Sequence, residues 1–213
     1  MRVCILGENL TSLTLAKALI NLKIHTDIVS SYKSKRYSKS RTLGISQSNF
    51  KFFNDNILNI KKLSWKINRI EIFTDDNLDK NLFSFENDKK DLFLIVKNYE
   101  IFNALKKCLN FSKYFKKKNS FLSNNYDLII NCDLNHSITK KIFFKKIEKD
   151  YKAAAYTAII QHKKILNHTA IQIFTKLGPI AFLPIDENQT SIVYSLKKKN
   201  FSKDDHIKSY IKK

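Results

Sequence analysis

With 213 residues, 43% of them hydrophobic and 12% aromatic, the chain is long and apolar enough to bury a core, which excludes a disordered polymer. A formal net charge of +20 directs attention to nucleic acid or an anionic surface, yet only Arg2, Arg36, Arg41 and Arg69 among the 39 basic residues are arginines. A surface selected to grip phosphates would use more of the bidentate guanidinium, so the lysines read as solvated faces and nucleic-acid binding is disfavoured.

In chain order, residues 2–7 (RVCILG) form a near-continuous apolar run closing on Gly7, as a parallel strand buried on both faces does. Thr11 is a candidate N-cap, with Leu15, Leu19 and Leu22 recurring behind it at helical spacing. IHTDIVS, 24–30, is a second strand, so the opening has the size of a βαβ crossover. SSYKSKRYSKSR, 30–41, is basic and aperiodic and reads as a loop. A second helix begins near Ser46 and carries Phe50, Phe53 and Ile57.

From Lys66 the pattern alternates (KINRIEIF), and LFSF and DLFLIV follow as short strands of an antiparallel excursion. NYEIFNALKKCL, 98–109, returns to helix with Ile101, Leu105 and Leu109 on one face, and YDLIINCD, 126–133, is another buried strand. Four strand-like runs near 151–160, 169–175, 180–185 and 190–196 build a second antiparallel lobe. FSKDDHIKSYIKK opens as a helix, with Ser202 and Asp205 at capping-box spacing.

Cys4, Cys108 and Cys132 sit in apolar surroundings with no CxxC or Cys/His spacing, so small core residues of a reducing compartment are expected. MRVCILGE lacks a long hydrophobic region and no run approaches 18 apolar residues. A cytoplasmic protein with membrane contact only at its surface is the expectation. The five histidines form no metal spacing, and no Ser/His/Asp arrangement or carboxylate pair stands out. Neither a metal site nor a catalytic residue is assigned.

A dinucleotide turn needs glycine first for the tight turn, second for close approach of the pyrophosphate, and third for helix–strand packing. Gly7, Asn9 and Ser12 stand at those places, and Ser30 stands where an acidic residue would hold a ribose hydroxyl. Ser12 is a mild departure, whereas the Asn9 side chain stands where phosphate should approach. An ordinary βαβ packing turn is the competing reading.

Further segments lie in order along the chain: RTLGIS at 41–46, NYEIFNAL from 98, YDLIINCDLNHS at 126–137, and TKLGPIAFLPI with SIVYS at 175–195. Together they resemble the ubiquinone-biosynthesis hydroxylases of the UbiH type, which are FAD-dependent aromatic monooxygenases. The resemblance implies an α/β fold: an FAD-binding Rossmann-like βαβ domain over 1–66 and 98–150, with an inserted antiparallel substrate lobe over 67–97 and 151–200. Residues 201–213 would start a truncated helix, because family members continue well beyond this length.

The resemblance also assigns residues. Gly7, Asn9 and Ser12 match the pyrophosphate turn, Ser30 the ribose-binding acid, and Arg41 an arginine set against the flavin dinucleotide. Asp133 and Ser137 match a second signature that serves FAD and reduced nicotinamide, with Leu134 replacing its glycine and Lys140 its arginine. An aspartate capping the turn after a strand is the plainer alternative for Asp133. Gly178, Pro179 and Pro184 match a turn of the substrate lobe or simply punctuate it.

FAD, NAD(P)H as co-substrate and a polyprenyl phenol substrate follow from the resemblance. So do ubiquinone-pathway enzymes as partners and a place on the cytoplasmic side of the inner membrane, with peripheral contact. A non-catalytic scaffold that keeps the flavoprotein architecture is the alternative, favoured by the lost glycines and the lost ribose acid.

Overall fold

The structure is a computed structural model that describes residues 1–30, 38–86, 91–120, 122–142 and 147–197. The chain divides into two compact units. Unit 1 comprises Met1–Ser64 with Val96–Ile147, and unit 2 comprises Trp65–Ile95 with the described part of Glu148–Lys213.

Unit 1 is an α/β layer structure. Strands β1 (Arg2–Leu6), β2 (His25–Val29), β8 (Phe115–Lys118) and β9 (Leu128–Asn131) form a four-stranded sheet in the order β8-β2-β1-β9. Every pairing in it is parallel, with Cys4 opposite Asp27 on one side and Ile129 on the other. Helix α1 (Leu10–Asn21) crosses from β1 to β2. Helix α3 (Asn98–Asn110) lies against α1 and β8. One face of the sheet, with Val3, Ile5 and Ile28, packs on Leu13, Ala16 and Ile20 of α1 and on Ile101, Phe102, Leu105 and Leu109 of α3. The other face, with Cys4, Leu6 and Val29, is covered by Tyr126, Ile129 and Ile138.

The capping residue of α1 is Asn9, two positions before the Thr11 that spacing suggested. The shift follows from side-chain chemistry, since Asn9 and Ser12 satisfy each other's backbone N–H groups as a complete capping box. Packing against β1, β2 and α3 buries Ser12, Leu13, Ala16 and Ile20 instead of the expected stripe. Leu15 and Leu19 pack at its margin, and Leu22 is exposed. Strand β3 (Thr42–Ser46) precedes α2 (Gln47–Asn56), which Ser46 caps; Phe50 and Phe53 are half-buried and Ile57 is buried. A short helix α4 (Ser137–Ile142) follows β9.

Unit 2 is built on a six-stranded sheet in the order β10-β13-β12-β11-β5-β6. Its strands are β5 (Arg69–Thr74), β6 (Phe83–Glu86), β10 (Ala153–Gln161), β11 (Thr169–Thr175), β12 (Gly178–Pro184) and β13 (Gln189–Lys197). The expected lobe is antiparallel throughout, but β5 and β11 pair in parallel, because the excursion strand joins the second lobe's sheet side by side. Strands β4 (Ser64–Ile67) and β7 (Phe93–Lys97) contribute Ile67 and Ile95, which are buried with Ala170 and Ile185. The expected helix over 201–213, with Ser202 and Asp205, lies outside the described residues, as does most of the 30–41 loop.

Candidate functional site

Because β1 is flanked by β2 on one side and β9 on the other, the loops leaving their carboxyl ends diverge between β1 and β9. Open α/β sheets bind ligands at such a switch point. Gly7, the first residue after β1, has φ of +98°, a conformation that L side chains rarely adopt. A Cβ there would stand 3.0 Å from the Cβ of Asp133. The Gly7 N–H donates to Val29 O at 2.8 Å, and the Cys132 N–H donates to Leu6 O at 2.9 Å. Gly7, Ser30 and Asp133 are thus gathered along one edge of the sheet by the strands themselves.

Asn9 lies between them in extended backbone, φ −135° and ψ 178°. Its Oδ1 accepts the Ser12 N–H at 3.0 Å, and its Nδ2 donates to Cys132 O at 2.7 Å. In return, Ser12 Oγ accepts the Asn9 N–H at 2.8 Å and donates to Asn9 O at 2.8 Å. Two of the N–H groups that a helix start leaves open are therefore used within the turn, and the loop after β1 is laced to the loop after β9.

Other assigned positions fare differently. Ser30 donates its N–H to Lys118 O at 3.2 Å, and the carboxylate that precedes it in the chain, Asp27, is engaged elsewhere. Asp133 accepts the Asn135 N–H on Oδ1 at 3.0 Å, and its carbonyl accepts the His136 N–H at 3.1 Å. That is the turn-capping arrangement of the plainer alternative. Ser137 is exposed at the start of α4, and the Arg41 side chain is exposed before β3. The Arg41 carbonyl accepts the Asn98 N–H at 3.0 Å.

Two residues that motif matching passed over belong to this account. Asn98 opens α3 on its buried face, at the spacing of Ile101, Leu105 and Leu109, and is only 8% exposed. Its Oδ1 is buried with no hydrogen-bond partner among the described residues. A polar residue at an apolar position of the helical stripe was the available signal. Glu8, in the turn itself, has a side chain only 4% exposed, paired with Lys117 and, at 3.5 Å, with Lys106.

Beneath the edge, Asp27 takes a hydrogen bond from Tyr126 Oη at 2.7 Å and ion pairs from Lys118 at 2.8 Å and Arg2 at 3.0 Å. Burial opposes its ionisation, but the hydrogen bonds from Lys118 and Tyr126 and the two cationic charges outweigh it, holding the carboxyl below its ordinary value. Burial, reinforced by the Asp27 charge, pushes the Cys4 thiol up to about 11, and burial also raises Cys132. Neither thiol is a ready nucleophile. A cleft of about 420 Å³ opens at the opposite, amino-terminal edge beside Arg2, His25, Asp27, Lys113 and Asp127. It lies at the wrong end of the strands for a dinucleotide; there the Arg2 guanidinium pairs with Asp27 and the Arg2 backbone N–H donates to Asp127. No metal-binding group of His, Cys, Asp or Glu occurs among the described residues.

No family model and no curated protein matches the sequence. Solved structures match the fold. PqsL of Pseudomonas aeruginosa, a probable FAD-dependent monooxygenase, aligns with a TM-score of 0.72 at 10% identity, over 93% of this chain and 61% of its own. An HpxO variant of Klebsiella pneumoniae, complexed with FAD, aligns at 0.74 and 9%, over 99% and 61%. The p-nitrophenol 4-monooxygenase PnpA of Pseudomonas putida gives 0.76 and 9%, over 98% and 60%. The fold is that of the FAD-dependent monooxygenases. The chain spans about three fifths of the length of these neighbours.

The donor and acceptor set suits an FAD molecule. A buried acceptor without a partner carries a desolvation cost that a ligand's hydroxyl or N–H would relieve, and Asn98 Oδ1 is such an acceptor beside the Arg41 backbone. The Gly7 turn and the start of α1 stand where a pyrophosphate would lie, with the Asn9 and Ser12 side chains holding two of the N–H groups there.

Proposed function

We propose that this chain supplies the FAD-binding and substrate-sheet framework of a flavin monooxygenase of ubiquinone biosynthesis, of the UbiH type. The observation that carries the reading is the shared fold over nearly the whole chain, with the Gly7 turn standing at the switch point of the parallel sheet. The ordered segments RTLGIS, YDLIINCDLNHS and TKLGPIAFLPI support the narrower assignment. The substrate on this reading is a polyprenylated phenol, with NAD(P)H as reductant and O₂ as the source of the new hydroxyl.

When bound, FAD would supply the redox and oxygen chemistry, so the residues' work is to bind, orient and keep water out. Gly7 bends the chain at the switch point, where the α1 start would meet the pyrophosphate, and Ser12 packs the helix on the sheet. Asn98 would accept a hydrogen bond from the cofactor, with Arg41 at its side. Ser30, Asp133 and Ser137 are assigned to the same group by the resemblance. A polyprenyl tail partitions into lipid, so peripheral attachment at the cytoplasmic face of the inner membrane, among ubiquinone-pathway enzymes, fits this reading. No helix among the described residues is long and apolar enough to cross a membrane.

The capping box gives a second reading its support, because a turn that satisfies its own donors suits a scaffold that has left catalysis to partners. Oxidation of NADH or NADPH by the FAD-supplemented chain, with and without a polyprenyl phenol, separates the two. Phenol-dependent oxidation is the expected result. Absence of any oxidation, together with co-purification of ubiquinone-pathway enzymes, would establish the scaffold.

A further inference from the structure

Resting on the dinucleotide reading, we infer that the Asn9 side chain is a latch, holding in the empty protein the hydrogen bonds that a pyrophosphate must break to enter. Three observations converge on it. Asn9 stands where a dinucleotide turn has its second glycine, the residue whose missing side chain lets phosphate approach. Its Oδ1 accepts the Ser12 N–H, so a neutral amide oxygen serves the positive end of α1 where an anion's oxygen would. Its Nδ2 reaches across the switch point to Cys132 O and ties the two loops between which the ligand would lie.

The backbone at Asn9 does not demand this arrangement. Its φ of −135° is ordinary extended chain, and glycine is tolerated at a helix N-cap almost as well as asparagine. A glycine here would therefore leave the fold and remove both bonds at once. The latch trades affinity for a turn that satisfies itself: the dinucleotide must displace the carboxamide, a phosphate oxygen then accepts the Ser12 N–H, and Cys132 O, an acceptor, passes to a water or to a cofactor hydroxyl.

The test titrates FAD, and separately ADP, into the full chain, Asn9→Gly and Asn9→Ala, following flavin fluorescence and calorimetric heat, with circular dichroism to establish that each variant folds. Asn9→Gly removes both the latch and the Cβ, whereas Asn9→Ala removes the latch and keeps the Cβ. The expected result is FAD binding at least about tenfold tighter in Asn9→Gly than in the parent, with Asn9→Ala between them. In the free parent, amide hydrogen exchange at Ser12 should be protected, and the protection should fall in both variants. Equal affinity in all three proteins overturns the latch and leaves the dinucleotide reading standing. Binding by none of them, all being folded, overturns both.

Discussion

In unit 1 the parallel sheet is sealed by α1 and α3, and Val3, Ile5, Ile28, Leu105 and Leu109 are all but fully buried. In unit 2 the buried cluster holds Ile67, Ile95, Ala170 and Ile185, and Ile192, Tyr194 and Leu196 of β13 are buried as well, while Phe83, Phe85 and Phe174 of the six-stranded sheet stay exposed. Unit 2 instead relies on long ladders, with β10 and β13 in register from Ala153 opposite Lys197 to Gln161 opposite Gln189. The difference teaches where each unit is vulnerable. Side-chain volume governs unit 1, which carries the candidate site; backbone geometry governs unit 2.

The sharpest challenge to this contrast is Gly178→Ala. Gly178 has φ of +143°, and a Cβ would stand 1.9 Å from Ser195 O on the neighbouring β13. Strain at positive φ together with overpacking should cost about 4 kcal/mol, a fall in Tm of roughly 10 °C. Hydrogen exchange should quicken in β11–β13 while α1 and α3 stay protected. A uniform loss of protection would break the comparison.

Leu105→Ala is the counterpart in unit 1. Truncating a fully buried leucine between α3 and the sheet should cost about 3 kcal/mol by urea denaturation, with exchange quickening first in α1 and β1. Next is Asp27→Asn, expected to cost about 2 kcal/mol at neutral pH because it leaves Lys118 and Arg2 beside an uncharged partner. Its sign with pH follows from the depressed carboxyl. The stabilisation is present above the unfolded value near 3.8 and is lost as pH falls through the lower folded value. The gap in Tm between parent and variant should therefore begin to close only below about pH 4 and vanish below the folded value; a constant gap down to pH 2 would contradict the ion-pair account. The smallest expected effect is at the turn: Asn9→Ala should cost about 1 kcal/mol in thermal unfolding and Asn9→Gly a few tenths.

Strand β1, buried on both faces, was legible because its composition leaves few options: RVCILG reads as a strand from apolar continuity alone. DLIIN reads as a buried strand in the same way, but β9 lies at the sheet edge, half-buried and with Leu128 exposed, because among the described residues only β1 flanks it. Strand β8, FKKK, was hidden inside a lysine run, because an edge strand can carry charge and needs only Phe115 to anchor it. The parallel pairing of β5 with β11 brings together residues about a hundred positions apart and has no local signature. At the site, the Gly7 turn was legible from glycine chemistry. The Asn9–Ser12 capping box was not, since Thr11 is also an acceptable N-cap and serine at N3 lacks the Glu or Gln that marks a capping box in sequence. Asp133 was readable as either a ligand or a cap, and its bonds to the following turn show what holds it. Asn98 escaped because its one sequence signal, a polar residue on the apolar stripe of α3, does not say that its acceptor is left without a partner.

The central claim, that the turn at Gly7 opens a flavin dinucleotide site, is met most directly by an absorption titration of the purified full chain with FAD, scaled to protein concentration. The account predicts a saturable perturbation of the visible flavin band that ends at one FAD per chain. A band that stays identical to free FAD at every ratio, in protein shown to be folded, would contradict it.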